Sequence, residues 1–394
     1  MLSARQLFFN NLAQTSSSPI AIEIDNASGC WLYSPDGKRY FDLIAGVSVN
    51  NIGHNNPCVV KAVTEQVSKH MHLMVYGEFI QKPQVRLAEL VISYLPDNLE
   101  SVFYTNSGSE SVEGAIKLSR RYTGRYEVIS FINAYHGSTI GALSIMGNEN
   151  MKRAFRPLMP SVSLLEYNQE NALDAITHDT ACVIVEPVQG EAGVILPADG
   201  FLQKLRKKCT DTGTLLVFDE IQTGFGRTGK MFAMDLYEVV PDIVLFAKGF
   251  GGGLPLGAFV SSREIMSSLC NDPALGHITT FGGHPVSCTA GLASLEFIID
   301  NKLDLNARNN GARFKQLLNH SLIKNVRGEG LLMSVELESA EIVKKVISIA
   351  LKKGIVTDWF LFNENCIRIS PPLIITGEET EYACRVLQES MDEV

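Results

Sequence analysis

The feature that most restricts the fold is an alternation, from Val102 onward, of short continuous apolar runs with segments whose apolar residues recur at helical spacing. Strands are predicted at residues 102–104, 127–131, 182–185, 214–218, 243–246 and 258–260. Strands that are apolar on both faces are typical of a parallel sheet with helices packed on each side. The sequence therefore predicts an α/β protein whose large domain contains a mostly parallel sheet between helices.

The two ends of the chain show a different pattern. Short strands are predicted at residues 21–24, 30–33 and 39–41, and strands at 331–337 and 366–370 mix with two amphipathic helices. Longer helices are predicted at residues 59–71, 84–94, 110–122, 201–210, 285–300 and 305–319. We therefore expect a large domain over residues 60–300 and a smaller α+β domain formed by residues 1–59 together with 301–394.

Charge and cysteine usage argue against several classes of protein. The 394 residues include 34 Lys and Arg against 43 Asp and Glu, a net charge of −9 without any long basic run, so nucleic acid is not an expected partner. No apolar run reaches the roughly 18 residues that cross a membrane, and residues 1–11 lack the pattern of a secretory signal. The eight cysteines form no Cys-x-x-Cys pair and several lie in apolar runs, which indicates reduced thiols, no metal-binding pair and a cytoplasmic location.

A glycine-rich segment, Gly224-Phe-Gly-Arg-Thr-Gly-Lys230, matches the spacing of two nucleotide-binding motifs. A phosphate-binding P-loop requires Ser or Thr after the lysine, and Met231 stands there instead. A dinucleotide motif opens a helix directly after its strand, whereas residues 219–223, with two carboxylates, intervene here. We interpret the segment as a glycine-rich surface loop rather than a nucleotide site.

Residues 105–110 follow a predicted strand and open a predicted helix. Ser107 and Glu110 have the spacing of a capping box, Gly108 lets a ligand approach the backbone closely, and Ser109 adds a second hydroxyl. The free N–H groups of a helix N-terminus bind phosphate well. A plain helix cap is the commoner use of such a sequence, so both interpretations stay open for this segment alone.

Three further strand ends carry polar groups. Asp219 ends an apolar run and can pair with a protonated pyridine nitrogen, or it can cap a helix or join a salt bridge. Lys248 ends another run, where partial desolvation would lower the pKa of its amine, or it reaches solvent as most lysines do. The ring of Tyr135 or His136 can stack on a planar cofactor or have a structural role only. Because ligands of open α/β sheets bind at the carboxyl ends of strands, the four features together fit one phosphorylated aldehyde cofactor.

Over nearly its whole length the sequence resembles the class III, ornithine/acetylornithine-type, pyridoxal-phosphate-dependent aminotransferases of fold type I. The segments that resemble the family, in the same order, are residues 46–50 with 53–54, 106–110, 136–137, 185–193, 219–230, 241–243 with 247–249, 280–283, and 368 with 371–372. The resemblance implies a large domain with a mostly parallel, seven-stranded type of sheet, a smaller domain from both chain ends, and an obligate homodimer with shared sites.

The resemblance also implies a role for each matching residue. Lys248 would form a Schiff base with pyridoxal phosphate, Asp219 would pair with the pyridine nitrogen, and Gln222 would contact the ring hydroxyl. The other implied cofactor contacts are Ser107, Gly108 and Ser109 with the phosphate, Tyr135 and the adjoining His136 at the ring, Glu186 at the cofactor face, and Thr280 reaching the phosphate of the neighbouring subunit. No metal is implied.

Substrate choice is where the sequence departs from the best-known relatives. Ser138 occupies the position at which they bind a substrate carboxylate with an arginine, whereas Glu191 and Arg368 resemble a pair that alternates between a salt bridge and binding of the acceptor's α-carboxylate. Tyr76, at the end of the apolar stretch 71–76, is expected to line the donor pocket.

These positions lead to one hypothesis of function and two alternatives. The resemblance implies ping-pong transfer of an amino group from a primary amine or ω-amino acid, acetylornithine- or ornithine-like, to a 2-oxo acid such as 2-oxoglutarate or pyruvate. The first alternative is an aminomutase or other enzyme of the same class. The second is a cofactor-binding protein without turnover, which would not need the carboxylate of Asp219.

Overall fold

The computed structural model describes residues 2–394. The strands are β1 (Asn26–Ser28), β2 (Trp31–Tyr33), β3 (Arg39–Asp42), β4 (Ser101–Thr105), β5 (Glu127–Phe131), β6 (Val162–Leu165), β7 (Thr180–Val185), β8 (Leu215–Asp219), β9 (Ile243–Phe246), β10 (Gly257–Ser261), β11 (Asn325–Glu329), β12 (Leu332–Glu336), β13 (Ile355–Val356), β14 (Trp359–Phe360) and β15 (Asn363–Ile369). The helices are α1 (Ala4–Asn11), α2 (Ala45–Ser48), α3 (Pro57–Val67), α4 (Lys82–Ile92), α5 (Gly108–Thr123), α6 (Ile140–Ser144), α7 (Glu149–Lys152), α8 (Phe201–Thr212), α9 (Ala233–Tyr237), α10 (Arg263–Ser267), α11 (Pro285–Asp300), α12 (Leu303–Leu317), α13 (Ala340–Lys352) and α14 (Gly377–Met391). Within residues 2–394, none of these helices combines the length and the apolar character needed to cross a membrane.

A seven-stranded sheet forms the centre of the molecule, in the order β4-β10-β9-β8-β7-β5-β6. Only β10 runs antiparallel to its neighbours, β4 and β9, while the other pairs are parallel. The predicted mixed α/β fold with a mostly parallel sheet is therefore confirmed. Because β10 reverses direction between β4 and β9, the carboxyl ends of β4, β5, β7, β8 and β9 lie along one edge of the sheet.

Strand β8 shows why these strands are apolar on both faces. Val217 packs in one buried cluster with Val112 of α5, whereas its neighbours Leu216 and Phe218 pack in another with Leu205 of α8. Successive side chains of a strand point to opposite faces of the sheet. Helices therefore cover both faces of the sheet. A strand buried on both faces needs an apolar side chain at every position, which gives a continuous apolar run in the sequence.

Two smaller sheets contain the remaining strands, in the orders β1-β2-β3-β13 and β11-β12-β15-β14. The first joins the two ends of the chain, because Phe41 of β3 pairs in parallel with Ile355 of β13. This pairing supports the proposed division into residues 60–300 and residues 1–59 with 301–394, and the division stays a proposal.

Some predicted elements were wrong in detail. Residues 21–24 form no strand, because Ala21 has a left-handed φ of 50°, which an extended strand cannot accommodate, and the first strand begins only at Asn26. The helix predicted at 59–71 begins earlier, at Pro57, where Asn56 accepts a hydrogen bond from the N–H of Cys58 and proline needs no N–H partner of its own.

The glycine-rich segment is buried rather than exposed, which corrects the prediction of a surface loop. Arg227, within it, is fully buried and donates to the carbonyls of Leu331 and Pro371 at 3.0 and 2.6 Å and to Oδ1 of Asn51 at 2.7 Å. Burial lowers the pKa of Arg227 to about 9. The segment thus ties the loop after β8 to residues next to the C-terminal strands.

Candidate active site

One cavity of about 420 Å³ lies at the carboxyl edge of the large sheet. Its walls come from the loops after β4, β5, β7 and β9 and from the end of β8. These elements meet because the carboxyl ends of the five strands lie along the same edge. It brings together most of the site residues predicted from the sequence, namely Ser107, Gly108, Ser109, Tyr135, His136, Glu186, Asp219, Gln222 and Lys248. Residues separated by up to 141 positions in the sequence, such as Ser107 and Lys248, therefore line the same space.

The N-terminus of α5 forms one wall of the cavity. Ser107 caps the helix, since its hydroxyl accepts a hydrogen bond from the N–H of Glu110 at 3.3 Å. The Glu110 carboxylate accepts from the N–H of Asn106 at 2.8 Å and not from Ser107, so the predicted capping box is only half formed. The first N–H groups of a helix have no acceptor within it, which leaves those of Gly108 and Ser109 suited to an anion.

Asp219 is fixed at the end of β8 by two contacts. Its Oδ1 accepts from the N–H of Ile221 at 3.0 Å, and its Oδ2 lies 2.7 Å from Nδ1 of His136. The other ring nitrogen of His136 lies 3.1 Å from Oγ of Ser130, so both of its nitrogens are occupied and the ring is buried. His136 therefore positions Asp219, which leaves Tyr135 as the aromatic side chain suited to stacking.

Lys248 follows β9 in a short 3₁₀ turn and has a left-handed φ of 48°. Burial lowers the pKa of its amine, and the charge of Arg368 acts in the same direction, while Glu191, Asp219 and Glu186 oppose them. A lysine with a lowered pKa has a larger neutral fraction, and the neutral amine is the nucleophile and base. Among the described residues that line the cavity, Lys248 is the only lysine or arginine.

Two polar side chains complete the inner wall. Glu186 accepts from the N–H of Tyr135 at 2.8 Å and from that of Gly190 at 3.0 Å, and burial raises its pKa to about 7 against the opposing effect of His136. The amide nitrogen of Gln222 is buried and has no hydrogen-bond partner among residues 2–394. An unpaired buried donor is costly, so a bound group that accepts from Gln222 would remove that cost.

Val49, within the segment 46–50 that resembles the family, also lines the cavity, although the sequence indicated no role for it. The preceding residues, Ala45 to Ser48 in α2, all have left-handed φ angles of 50–63°. Asp42 holds this turn, because its Oδ1 accepts from the N–H groups of Ile44 and Ala45 at 2.7 and 2.9 Å and its Oδ2 lies 2.7 Å from Nε2 of His54. Ile221 and Ala247, within segments that resemble the family, also line the cavity without a predicted role, and residues 253–256 line it outside any of those segments.

Arg368 and Glu191 form the predicted salt bridge, with 2.9 Å between Nη2 and Oε2. Both side chains are buried. Burial by itself would raise the pKa of Glu191, but Arg368 and a hydrogen bond from the N–H of Leu361 bring it below its ordinary value. Neither residue lines the cavity, but Glu191 follows Gly190, whose N–H donates to the cavity-lining Glu186 at 3.0 Å, so the pair lies next to the cavity wall.

Five predicted residues lie outside the cavity wall of this single chain: Glu191 and Arg368, described above, and Tyr76, Ser138 and Thr280. Tyr76 is half-buried and Thr280 is exposed, and neither lines the cavity. Ser138 is exposed at the rim, where its N–H donates to Oγ of Ser109 at 3.2 Å. An exposed Thr280 is compatible with the predicted contact to a neighbouring subunit, which stays a prediction.

Comparisons with known proteins find similar sequences and a similar fold. The family model described as Aminotransferase class-III matches residues 12–391. The acetylornithine aminotransferase of Methanopyrus kandleri is 38% identical over 393 residues, which cover 99% of this chain and 99% of that protein. The mitochondrial acetylornithine aminotransferase of Alnus glutinosa is 39% identical over 390 residues, 94% of this chain and 84% of that one. The crystal structure of the ornithine aminotransferase from Toxoplasma gondii has a TM-score of 0.92 at 30% identity and covers 100% of this chain and 96% of its own.

Proposed function

Because this chain belongs to the class-III aminotransferases, we propose that it moves an amino group from a primary amine or ω-amino acid, acetylornithine- or ornithine-like, to a 2-oxo acid such as 2-oxoglutarate or pyruvate. We further propose that the two half-reactions alternate in a ping-pong sequence. The observation that carries the proposal is the meeting of Lys248, Asp219 and the N-terminus of α5 in one cavity.

Class-III aminotransferases are pyridoxal-phosphate-dependent enzymes, and the cavity fits this cofactor. Its volume of about 420 Å³ lies within the range of roughly 300–1,000 Å³ that is usual for cofactor sites. The helix end at Gly108 and Ser109 would hold the phosphate, Asp219 the pyridine nitrogen, and the unpaired amide of Gln222 the ring hydroxyl. When bound, the cofactor supplies an aldehyde for the substrate nitrogen and a ring that accepts the electron pair released at the substrate carbon.

The residues of the chain then have distinct tasks. The neutral amine of Lys248 takes the proton from the carbon that carries the donor's amino group, a role that suits a pKa lowered by burial. The carboxylate of Asp219 keeps a proton on the pyridine nitrogen, and His136 and Ile221 hold that carboxylate in place. Tyr135 and Glu186, which line the cavity after β5 and β7, would contact the ring of the bound cofactor.

The charge distribution supports the proposed substrates. Among residues 2–394, Lys248 is the only lysine or arginine that lines the cavity, and the rim position that resembles a carboxylate-binding arginine is Ser138. No arginine is therefore placed there to bind a donor carboxylate. Arg368 is neutralised by Glu191 while an uncharged donor end reacts. If Glu191 withdraws, the guanidinium becomes available to the α-carboxylate of a 2-oxo acid.

Assembly and location are further proposals. We propose a homodimer with shared sites, because large apolar side chains are exposed at Met71, Phe79, Ile80 and Phe281, close in the sequence to Tyr76 and Thr280. Exposed apolar patches of this kind mark interfaces between proteins. The eight cysteines are all unpaired, and most are buried, which supports a reducing, cytoplasmic location.

A panel of amino donors, each tested with pyruvate and with 2-oxoglutarate, tests the proposed function. We expect donors with a terminal primary amine to change the absorbance of the bound cofactor, and we expect continued turnover only when a 2-oxo acid is present. The measurement is the initial rate together with the absorbance change. Sustained product formation without any 2-oxo acid would instead show an aminomutase or another enzyme of the class.

Replacement of Arg368 by alanine tests the acceptor side. We expect the apparent KM for the 2-oxo acid to rise roughly tenfold to a hundredfold, because the variant loses a charged hydrogen-bond donor to the acceptor's carboxylate. The half-reaction of an amine without a carboxylate should keep its rate. Because the variant leaves the Glu191 carboxylate unpaired, the double variant Arg368→Ala, Glu191→Gln is measured as well. Arg313→Ala, which removes an exposed arginine paired with Glu381, is the control. Unchanged acceptor kinetics in both Arg368 variants would contradict the proposal.

A further inference from the structure

The guanidinium of Arg368 has a second carboxylate partner besides Glu191. Its Nε donates to Oδ1 of Asp358 at 2.7 Å, while its Nη2 donates to Oε2 of Glu191 at 2.9 Å. The remaining nitrogen, Nη1, is buried and has no partner among the described residues. One arginine is thus enclosed by two carboxylates with one donor group unused.

The two carboxylates are attached to the arginine in different ways. Asp358 belongs to the same hairpin, and the N–H of Arg368 donates to the Asp358 carbonyl at 2.9 Å. Thr357 adds a hydrogen bond from its hydroxyl to the Arg368 carbonyl at 2.5 Å, and the ring of Phe360 covers the guanidinium at 4.3 Å. Glu191 comes from the loop after β7, outside this hairpin, so its withdrawal would leave the contacts between Asp358 and Arg368 in place.

This arrangement decides which edge of the guanidinium is open to a ligand. A carboxylate binds arginine in a bidentate manner across two neighbouring nitrogens. Asp358 blocks the edge formed by Nε and Nη2, so withdrawal of Glu191 opens only the edge formed by Nη1 and Nη2. The unused Nη1 belongs to that edge.

The charge of Asp358 also acts on any bound carboxylate. Burial raises the pKa of Asp358, and the attraction of Arg368 opposes that shift, while Glu191 and Asp42 add to it. The contact of 2.7 Å between Nε of Arg368 and Oδ1 of Asp358 favours the ionised carboxylate. A substrate carboxylate that replaces Glu191 therefore meets an arginine whose charge is already shared with Asp358.

We propose that Asp358 is a positioning residue that holds Arg368 so that its Nη1–Nη2 edge receives the acceptor's carboxylate, and that the charge of Asp358 weakens this binding. The inference rests on the proposed function, in which Arg368 binds the acceptor. Weaker binding of the carboxylate lets the product leave quickly. This suits an enzyme whose donor and acceptor bind in turn to the same site.

The test is calorimetric titration of the holoenzyme with propionate, a carboxylate that has neither an amine nor a keto group to react. Asp358→Asn keeps an oxygen acceptor for Nε but removes the charge, and we expect its Kd for propionate to fall roughly tenfold. Asp358→Ala removes the acceptor as well, and its Kd should lie above that of Asp358→Asn. Glu364→Gln, which removes an exposed charge of β15 that pairs with Lys344, should leave the Kd unchanged.

Kinetics supply a second readout. Asp358→Asn should lower the acceptor KM in parallel with the Kd and leave the half-reaction of a donor without a carboxylate unchanged, whereas a structural defect would slow both. If Asp358→Asn does not fold, Asp358→Ser removes the same charge with a short polar side chain, and the expectation is the same.

The outcomes separate the two proposals. Loss of propionate binding in Arg368→Ala, combined with an unchanged or higher Kd in Asp358→Asn, would overturn the role of Asp358 and leave the proposed function intact. Propionate binding that does not depend on Arg368 would overturn the proposed acceptor site itself. Equal Kd values for Asp358→Asn and Asp358→Ala would overturn the positioning role.

Discussion

Replacement of Lys248 by alanine is expected to reduce the rate of the donor half-reaction by roughly a thousandfold or more. Lys248 supplies the only amine among the described residues that line the cavity, and burial gives this amine the lowered pKa of a base. The measurement is a single turnover of the holoenzyme with its best donor, followed by the absorbance of the cofactor. A half-reaction that proceeds at an undiminished rate would remove Lys248 from the mechanism.

Two comparisons distinguish loss of a base from loss of structure. Lys230→Ala removes an exposed lysine at the end of the buried glycine-rich segment and should keep the wild-type rate. Methylamine added to Lys248→Ala should restore part of the rate, because a small amine can occupy the space of the missing side chain and accept the same proton. A structural defect would not respond to an added amine.

Replacement of Asp219 by asparagine is expected to lower kcat roughly a hundredfold to a thousandfold. Asparagine has nearly the same shape and can still bond to Ile221 and His136, but it lacks the charge that keeps the pyridine nitrogen protonated. The donor KM and the melting temperature should therefore change little. The measurement is steady-state kinetics alongside thermal unfolding.

The control for this variant is Asp211→Asn, which removes an exposed carboxylate of α8 that pairs with Lys207. It should leave kcat unchanged. If Asp219→Asn kept kcat within threefold of the wild-type value, the carboxylate would be a structural group, as the simple helix-cap interpretation of the sequence allowed.

The central sheet could be predicted from the sequence because its strands are buried on both faces. The predicted strand at 243–246 coincides with β9, and those at 182–185 and 214–218 fall within two residues of the bounds of β7 and β8. Strands β13 and β14 were missed, since each has two residues and is defined by its pairing, β13 with the distant Phe41 and β14 with Ile367 of the next strand. Such strands have too few residues to show a period of their own.

The site could be predicted where chemistry and strand ends coincide. Lys248 and Asp219 end apolar runs, so their positions alone indicated a common edge of the sheet. Tyr135 or His136 was predicted at the cofactor ring, and both line the cavity. The sequence did not indicate that His136 also contacts Asp219, which joins the loop after β5 to the end of β8. Asp358 was missed because its partner lies across a hairpin and no motif marks the pair.

The most direct test of the central claim is the donor half-reaction of the wild-type holoenzyme, run to completion without any 2-oxo acid. The proposed mechanism predicts one equivalent of aldehyde or ketone product per active site, a full change in cofactor absorbance, and complete recovery of the original spectrum when a 2-oxo acid is added. Release of product in large excess over active sites without an acceptor, or no change in absorbance with any donor, would contradict it.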